Sequence, residues 1–500
     1  MRMSLLRRRA SALGMAVLVL CGVPAQAQLP TLGGDGSDMT VGTERKLGER
    51  IARELYRDPD YIDDPVLVEY VQVLWQPLLA AARVRGDLDA ELDERFAWQV
   101  LLGKDRSINA FALPGGWLGL HLGLVSVTAT RDELASVLAH ELSHVTQRHI
   151  SRMATQDARQ APLMLAAMIL GALAVTKSPE AGKAILTGSQ ALGMQQQLNF
   201  SREMEREADR IGLGVLTQAG FQPQGFVTMF EKLQQASRLN DNGAYPYLRT
   251  HPMSSERAAD MQSRQQLQEA TPPVATLDHV LAAARARVIS NPAIDAQRGF
   301  LAEAESAALP SQQRIRQASV LYSAAFAASR LRDPVTAARL LARLQPAVAG
   351  DPVGERMVRL LDAEIALASG DRARVLRLLD PQATRRPELL LRAQAQVQSG
   401  QAADAAQRLQ TWVATQPRDA AAWQLLASAY VAQGQQLRAV RAEAESRMAQ
   451  LDYPAALDRF KAAQDLMRRG GAAADHIEAS IIDTRTRQVE SLVREQALER

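Results

Sequence analysis

The segment from Val137 to Ser151 reads VLAHELSHVTQRHIS and holds three of the seven histidines in the chain. No proline or glycine interrupts Arg131 to Ala154, and apolar Leu134, Val137, Leu138 and Leu142 recur at helical intervals, so this whole stretch is expected to be one helix. His140 and His144 are four residues apart and project from the same helix face about one turn apart. Two imidazoles on one face, with Glu141 beside them, suit a zinc ion held by two histidines and a carboxylate, with water at the fourth position. The metal lowers the pKa of that water, and Glu141 is placed to take its proton and pass it to the leaving nitrogen of a peptide bond. His149, five residues beyond His144, points elsewhere on such a helix and is expected at the surface.

The motif supplies two ligands and needs a third from another helix. The candidate is SREMEREADRIG, with Glu203, Glu205, Glu207 and Asp209. A charge run of this kind is ordinarily a solvated face. Glu205 and Asp209, however, share one face across Ala208, which leaves room for close helix approach. One carboxylate can bind the metal while the other orients a ligating histidine through its free ring nitrogen. Spacing does not choose Glu205 over Glu203 or Glu207.

The rest of the chain sets the context. Five hundred residues with 47% hydrophobic content can bury more than one core. The first 27 residues carry Arg2, Arg7, Arg8 and Arg9 and no acid, followed by an apolar run from Ala12 to Val23 and small residues at Ala25-Gln26-Ala27. This is the pattern of a cleaved export signal, too short to span a bilayer comfortably. Leu20 before Cys21 argues against a lipoprotein. Without that segment 54 basic residues face 55 acidic ones, so no electrostatic footprint for nucleic acid remains. The mature chain then has no cysteine and needs no disulfide.

Residues 28–42 are rich in Gly, Pro and Asp and read as a linker. Helices are expected from Thr43 and across PVLVEYVQVLWQPLLAAAR, and a small sheet from FAWQVLLG and INAFALPGGWLGLHLGLV, with Pro114-Gly115-Gly116 as its turn. Residues 161–176 form an apolar run of sixteen, short of the roughly 20 residues that a spanning helix needs. A buried or interfacial helix is expected there. Two more helices cover NFSREMEREADRIGLGVLTQAG and FQPQGFVTMFEKLQQ, and this domain, residues 43–268, ends before EATPPVATLD. A connecting segment, 269–309, leads to residues 310–500, where small residues, Leu and Arg recur in helix-sized pieces. Gly400 and Gly434 are 34 residues apart, the tetratricopeptide period, with Trp423, Ala427 and Tyr430 near signature positions. Gly370 lies 30 residues before Gly400, an imperfect repeat.

HELSH followed by EREAD resembles the gluzincin metallopeptidases that include the prenyl-protein endopeptidase and HtpX. The resemblance implies a mainly α protein: an α+β zincin-type metalloprotease domain with a small sheet, followed by an α-helical tetratricopeptide-repeat solenoid. It implies one Zn2+ per chain on His140, His144 and Glu205, with Glu141 as base and Asp209 in support. INAFALPGG is similar to the family segment that binds substrate along an edge strand, which assigns Asn109, Ala110, Phe111, Ala112 and Leu113. THPMSSER is similar to a downstream His-Pro segment and places His251 and Arg257 at the active site. His251 then either stabilises an oxyanion or occupies the open metal position at rest. The order of export signal, protease domain and repeats is similar to periplasmic members of the family that tend outer-membrane barrel assembly. That arrangement implies stalled or misfolded outer-membrane β-barrel proteins as substrates and docking of the repeats on the assembly machinery or its clients. Residues 161–176 are a candidate for peripheral membrane contact. The alternatives are a chaperone or scaffold with little proteolysis and, more weakly, a secreted nutritive protease.

Overall fold

The computed structural model describes residues 39–154, 201–238, 245–265, 274–469 and 476–498; the apolar run 161–176 lies outside them. Helix α1 (Val41–Arg57) starts on Thr40, whose side chain accepts the Thr43 N–H. Strand β1 (Tyr61–Ile62) leads to α2 (Pro65–Arg85), where Asp64 caps the Leu67 N–H and Pro65 sits in the first turn. After α3 (Ala90–Arg95) come β2 (Gln99–Gly103), β3 (Ala110–Leu113) and β4 (Trp117–His121). The expected turn joins β3 to β4, with Gly115 and Gly116 at φ of 71° and 81°, a region that glycine enters without a Cβ clash. Strand order is β1-β2-β4-β3, with β2 parallel to β4 and the two outer pairings antiparallel. The LGLV that follows β4 is helical (α4, Leu122–Val127) and does not extend the strand.

The motif helix α5 (Arg131–Thr146) is buried from Asp132 to Thr146. Its start carries a reciprocal cap: Thr130 Oγ1 accepts the Glu133 N–H at 3.3 Å, and Glu133 Oε2 accepts the Ala129 N–H at 2.6 Å. The helix does not continue to Ala154 as expected. Arg148 adopts φ 52°, the chain turns, and α6 (His149–Ala154) begins. Helices α7 (Arg202–Gln218), α8 (Gln224–Arg238), α9 (Tyr247–Thr250) and α10 (Ser255–Gln265) follow. Helices α7, α8 and α2 and strand β3 pack around α5.

The remainder is an array of helices: α11 (Leu277–Ser290), α12 (Ile294–Ala304), α13 (Arg314–Arg330), α14 (Pro334–Val348), α15 (Pro352–Ala368) and α16 (Arg372–Leu378). It ends in α17 (Arg386–Gln398), α18 (Ala402–Thr415), α19 (Ala420–Ala432), α20 (Gln436–Ala449), α21 (Tyr453–Arg469) and α22 (His476–Leu498). Successive helices pack on one another. Gly400 and Gly434, at φ of 78° and 72°, stand just past α17 and α19. The Gln435 N–H reaches back to Tyr430 O at 2.9 Å, the helix-ending bond that a left-handed residue makes possible. The shortened spacing before Gly400 coincides with α16, a helix of only seven residues. No described helix is long and apolar enough to cross a membrane.

The half that carries the motif helix and the array share one core. A single apolar cluster runs from Leu47 to Ala395, and α11, within the expected connecting segment, is buried between α2, α4, α13 and α15. Three arginines of the array reinforce this joint, each binding one carboxylate near the start of α2 and one of its own neighbours. Arg285 holds Asp64 and Glu364, Arg356 holds Glu69 and Glu388, and Arg386 holds Asp63 and Asp419, with contacts of 2.6–3.1 Å. The planar fork of arginine matches two carboxylates at once. The Arg285 side chain is only 4% exposed, so its loss leaves the buried Asp64 and the half-buried Glu364 without compensation. Arg285→Leu is expected to destabilise the protein by about 3–5 kcal/mol, read as a lower unfolding midpoint. Arg45→Leu, at the surface pair with Glu49, is expected to change stability by no more than about 1 kcal/mol.

Candidate metal centre

Two helices build the centre. Helix α5 presents His140 and His144, and α7, capped by Ser201, presents Glu205 and Asp209. Close approach depends on small residues of α7. Ala208 is fully buried, and a Cβ on Gly212 would lie 3.2 Å from the Ala139 carbonyl oxygen of α5. Of the acids that spacing left open, Glu205 points between the two histidines, with Oε2 3.6 Å from His140 Nε2 and Oε1 3.4 Å from His144 Nε2. The two histidine Nε2 atoms are 3.0 Å apart. Glu203 is exposed, and Glu207 turns to a different partner.

His251, at the end of α9, joins this group. Its Nδ1 lies 3.0 Å from Glu205 Oε1 and 3.4 Å from His140 Nε2, and its ring stacks on Tyr247 with centroids 4.5 Å apart. His140, His144, Glu205 and His251 each offer one ligand atom, all within 4.8 Å of one another. Ligands about 2.0–2.1 Å from a tetrahedral zinc stand about 3.3–3.4 Å from each other, and the separations just given bracket that value. The donor set of imidazoles and one carboxylate also suits zinc. The residues therefore fit such an ion.

Burial and the surrounding charges hold Glu205, Asp209 and His144 in the forms that bind or support a metal. Arg257 grips Asp209 through Nε–Oδ2 at 2.7 Å and Nη2–Oδ1 at 2.8 Å, while its Nη1 is 2.7 Å from Glu205 Oε2. Asp209 Oδ1 lies 3.0 Å from His140 Nδ1, close in distance though not aligned as a hydrogen bond. Burial raises the Asp209 carboxyl, but Arg257 and His140 outweigh it and hold the group below the usual carboxylate range. Burial likewise opposes ionisation of Glu205, and His251, His144 and His140 overcome it, leaving the pKa well below normal. Burial drives His144 well below the ordinary imidazole range, which favours the neutral form that binds metal. At His251 burial is opposed by the Glu141 and Glu205 carboxylates, and the net shift is upward.

Glu141 differs from every other acid in the centre. Its carboxylate is fully buried, and neither oxygen has a hydrogen-bond partner among the described residues. The nearest ionisable group, His251 Nε2, is 3.5 Å from Oε1. A buried acceptor left in this state is costly and marks a place for a group that donates to it.

The expected strand segment lies beside this centre. Strand β3 is the outer strand of the sheet and packs on α5. His121 N–H donates to Asn109 O, and the register pairs Phe111 with Gly119 and Leu113 with Trp117. In the alternation of an antiparallel ladder, the backbone groups of Ala110 and Ala112 then point away from β4, toward the side on which no described strand pairs.

Two residues of the neighbourhood, Tyr247 and His149, went unread or misread in the sequence. Tyr247 supports the His251 ring. His149, expected at the surface, is fully buried, with Nδ1 2.9 Å from His144 Nδ1 and Nε2 3.1 Å from Glu207 Oε2. The cause is Arg148: its left-handed backbone breaks the helical count, so five residues no longer mean an unrelated face. Glu207 also pairs with Arg152 at 3.0 Å.

Comparison with known proteins agrees with this geometry. The model of Peptidase family M48 matches residues 81–265, which contain every candidate site residue. The beta-barrel assembly-enhancing protease of Escherichia coli (strain K12) is 31% identical over 467 residues, covering 92% of each chain. The protein of that name from Yersinia pestis is 32% identical over 436 residues, 85% of each chain. The mitochondrial metalloendopeptidase OMA1 of Saccharomyces cerevisiae is 29% identical across 38% of this chain and 54% of its own. Two relatives of at least 30% identity that align with most of the chain, together with the matched family model, show that the chain is a metallopeptidase belonging to peptidase family M48.

Proposed function

We propose that the protein is a periplasmic zinc endopeptidase that removes misfolded or stalled outer-membrane β-barrel proteins. The observation that carries the chemistry is the buried carboxylate of Glu141, without a hydrogen-bond partner among the described residues, beside the His140–His144–Glu205 group. His140, His144 and Glu205 would hold one zinc ion, which when bound polarises a carbonyl and acidifies water. Glu141 takes the proton of the attacking water and delivers it to the leaving nitrogen. No described residue hydrogen-bonds to it, so its lone pairs are open to that water. Asp209, fixed by Arg257, orients the His140 ring. His251 lies within ligand distance of Glu205 and His140, so of its two expected roles occupation of the metal's remaining position at rest is favoured; turnover then requires its ring to swing aside.

The unpaired side of β3 supports binding of substrate as an added strand. Backbone pairing to Ala110 and Ala112 would read extended conformation, with little regard for sequence, and unfinished barrels consist of such segments. Likeness in name and length to the beta-barrel assembly-enhancing proteases supports that substrate class. On this reading residues 1–27 direct export, residues 43–268 form the protease domain, and the helices of residues 310–500 act as tetratricopeptide repeats that dock on the assembly machinery or its clients.

Glu141→Gln is expected to keep zinc while slowing cleavage of an unfolded outer-membrane β-barrel protein by about 10²–10⁴-fold. Glu205→Gln is expected to lose both metal and cleavage, as read by elemental analysis beside the same assay. Undiminished cleavage by the first variant would remove the mechanism, and full zinc occupancy in the second would remove the ligand assignment. Support of barrel assembly by Glu141→Gln at the wild-type level would favour the scaffold reading. Ala112→Pro deletes an outward N–H without touching the ladder to β4. A loss of one such bond, about 1 kcal/mol, is expected as a several-fold rise in KM for extended substrates; an unchanged KM argues against strand addition.

A further inference from the structure

His149 and Glu207 take no part in the chemistry above, yet they form a hydrogen-bonded chain, buried at His149, that ends on a candidate ligand. We infer that His149 is a positioning residue that, through Glu207, fixes the tautomer and ring direction in which His144 presents its Nε2 lone pair to the metal. The inference rests on the reading that His144 is a ligand.

The protons can be assigned from the acceptor end. A carboxylate only accepts, so the 3.1 Å contact between His149 Nε2 and Glu207 Oε2 places the hydrogen on His149 Nε2. In a neutral imidazole a hydrogen on Nε2 leaves Nδ1 bare. The 2.9 Å contact between His149 Nδ1 and His144 Nδ1 then needs its hydrogen on His144. A neutral His144 protonated at Nδ1 has its lone pair on Nε2, the atom facing Glu205 Oε1 at 3.4 Å and His140 Nε2 at 3.0 Å. The reverse tautomer would put a hydrogen where the metal belongs and leave two bare nitrogens in contact. A ligating histidine whose other nitrogen is held in this way is more basic and better aimed.

The arrangement mirrors the other histidine with one link added. Asp209 addresses His140 Nδ1 directly at 3.0 Å, whereas Glu207 addresses His144 through His149. One helix, α7, thus supplies a ligand and turns one carboxylate toward His140 and another toward His149. Arg152 steadies the outer end, with Nη1 3.0 Å from the Glu207 oxygen that His149 also uses. The left-handed Arg148 is what returns His149 toward His144. On an uninterrupted helix the two rings would diverge by about 140°.

The test is zinc affinity of the full chain, measured by competition with a chromophoric chelator, together with the unfolding midpoint of the metal-free protein. His149→Leu removes the acceptor and is expected to weaken zinc binding about 10–100-fold. His149→Asn returns an acceptor oxygen and is expected to recover part of that loss. Glu207→Gln is expected to weaken binding in the same direction by a smaller factor. Because Glu207 is one-third exposed, this variant carries the test alone if His149→Leu does not fold. Wild-type affinity in both His149→Leu and Glu207→Gln overturns the inference, as does a lowered metal-free midpoint with unchanged affinity. Full-strength binding by His144→Leu is a separate result that removes the ligand assignment beneath it.

Discussion

The bidentate pair between Arg257 and Asp209 is the interaction on which the rest of the centre depends. Glu205 and Asp209 stand one turn apart on the same face of α7, each about 1% exposed, and Glu141 is fully buried nearby. Three carboxylates in so small a volume repel one another and lose their hydration, a penalty of several kcal/mol per ion if uncompensated. Arg257 touches two of them at once and donates as well to Pro252 O at 2.8 Å. Its face lies over Phe230, 5.2 Å from the ring centroid, so the guanidinium is held in one orientation. A lysine would neutralise one charge but not match the planar fork. Glu141 has no such partner, and the contrast separates its role: compensated acids hold geometry, and the uncompensated one is available for proton transfer.

What the sequence revealed follows from how local each feature is. His140, Glu141 and His144 belong to one helical turn and a half, so spacing alone placed them. Gly400 and Gly434 were legible because a left-handed residue after a helix is a local requirement. Glu205 was not separable from Glu203 or Glu207 by spacing, because the choice depends on how α7 rotates against α5, a matter of Gly212 meeting the Ala139 backbone beside the buried Ala208. His149 misled because one residue, Arg148, takes a left-handed conformation with no glycine to announce it. The parallel pairing of β2 with β4 and the arginine clamps were illegible for a different reason. Asp63 and Arg386 are 323 residues apart, and no periodicity links them.

The clamps also reinforce the core that protease and array share. A helical array gains most of its stability from neighbours, and its first members here have the protease as theirs. Asp64 caps α2 and binds Arg285 with the same carboxylate, so the helix start and the joint are one structural decision. Helix α2 in turn packs against α5. The path from the array to the metal centre is therefore two helices long and consists of buried contacts throughout.

The sheet gives this joint a direction. Strand β1, one outer strand, faces the array across a cavity of about 370 Å³ lined by Tyr61, Ile62, Asp63, Arg386, Trp412 and Asp419. Strand β3, the other, lies against α5. An unpaired strand invites pairing with any extended chain. Here the array stands beside one outer strand, while the other packs on the motif helix α5 with its amides turned away from β4. On the proposed reading, those amides at Ala110 and Ala112 set substrate register in steps of two residues, so every second side chain faces the same way. Selectivity would then lie in whether a segment is extended and unpaired, a property of an unfinished barrel that folding removes.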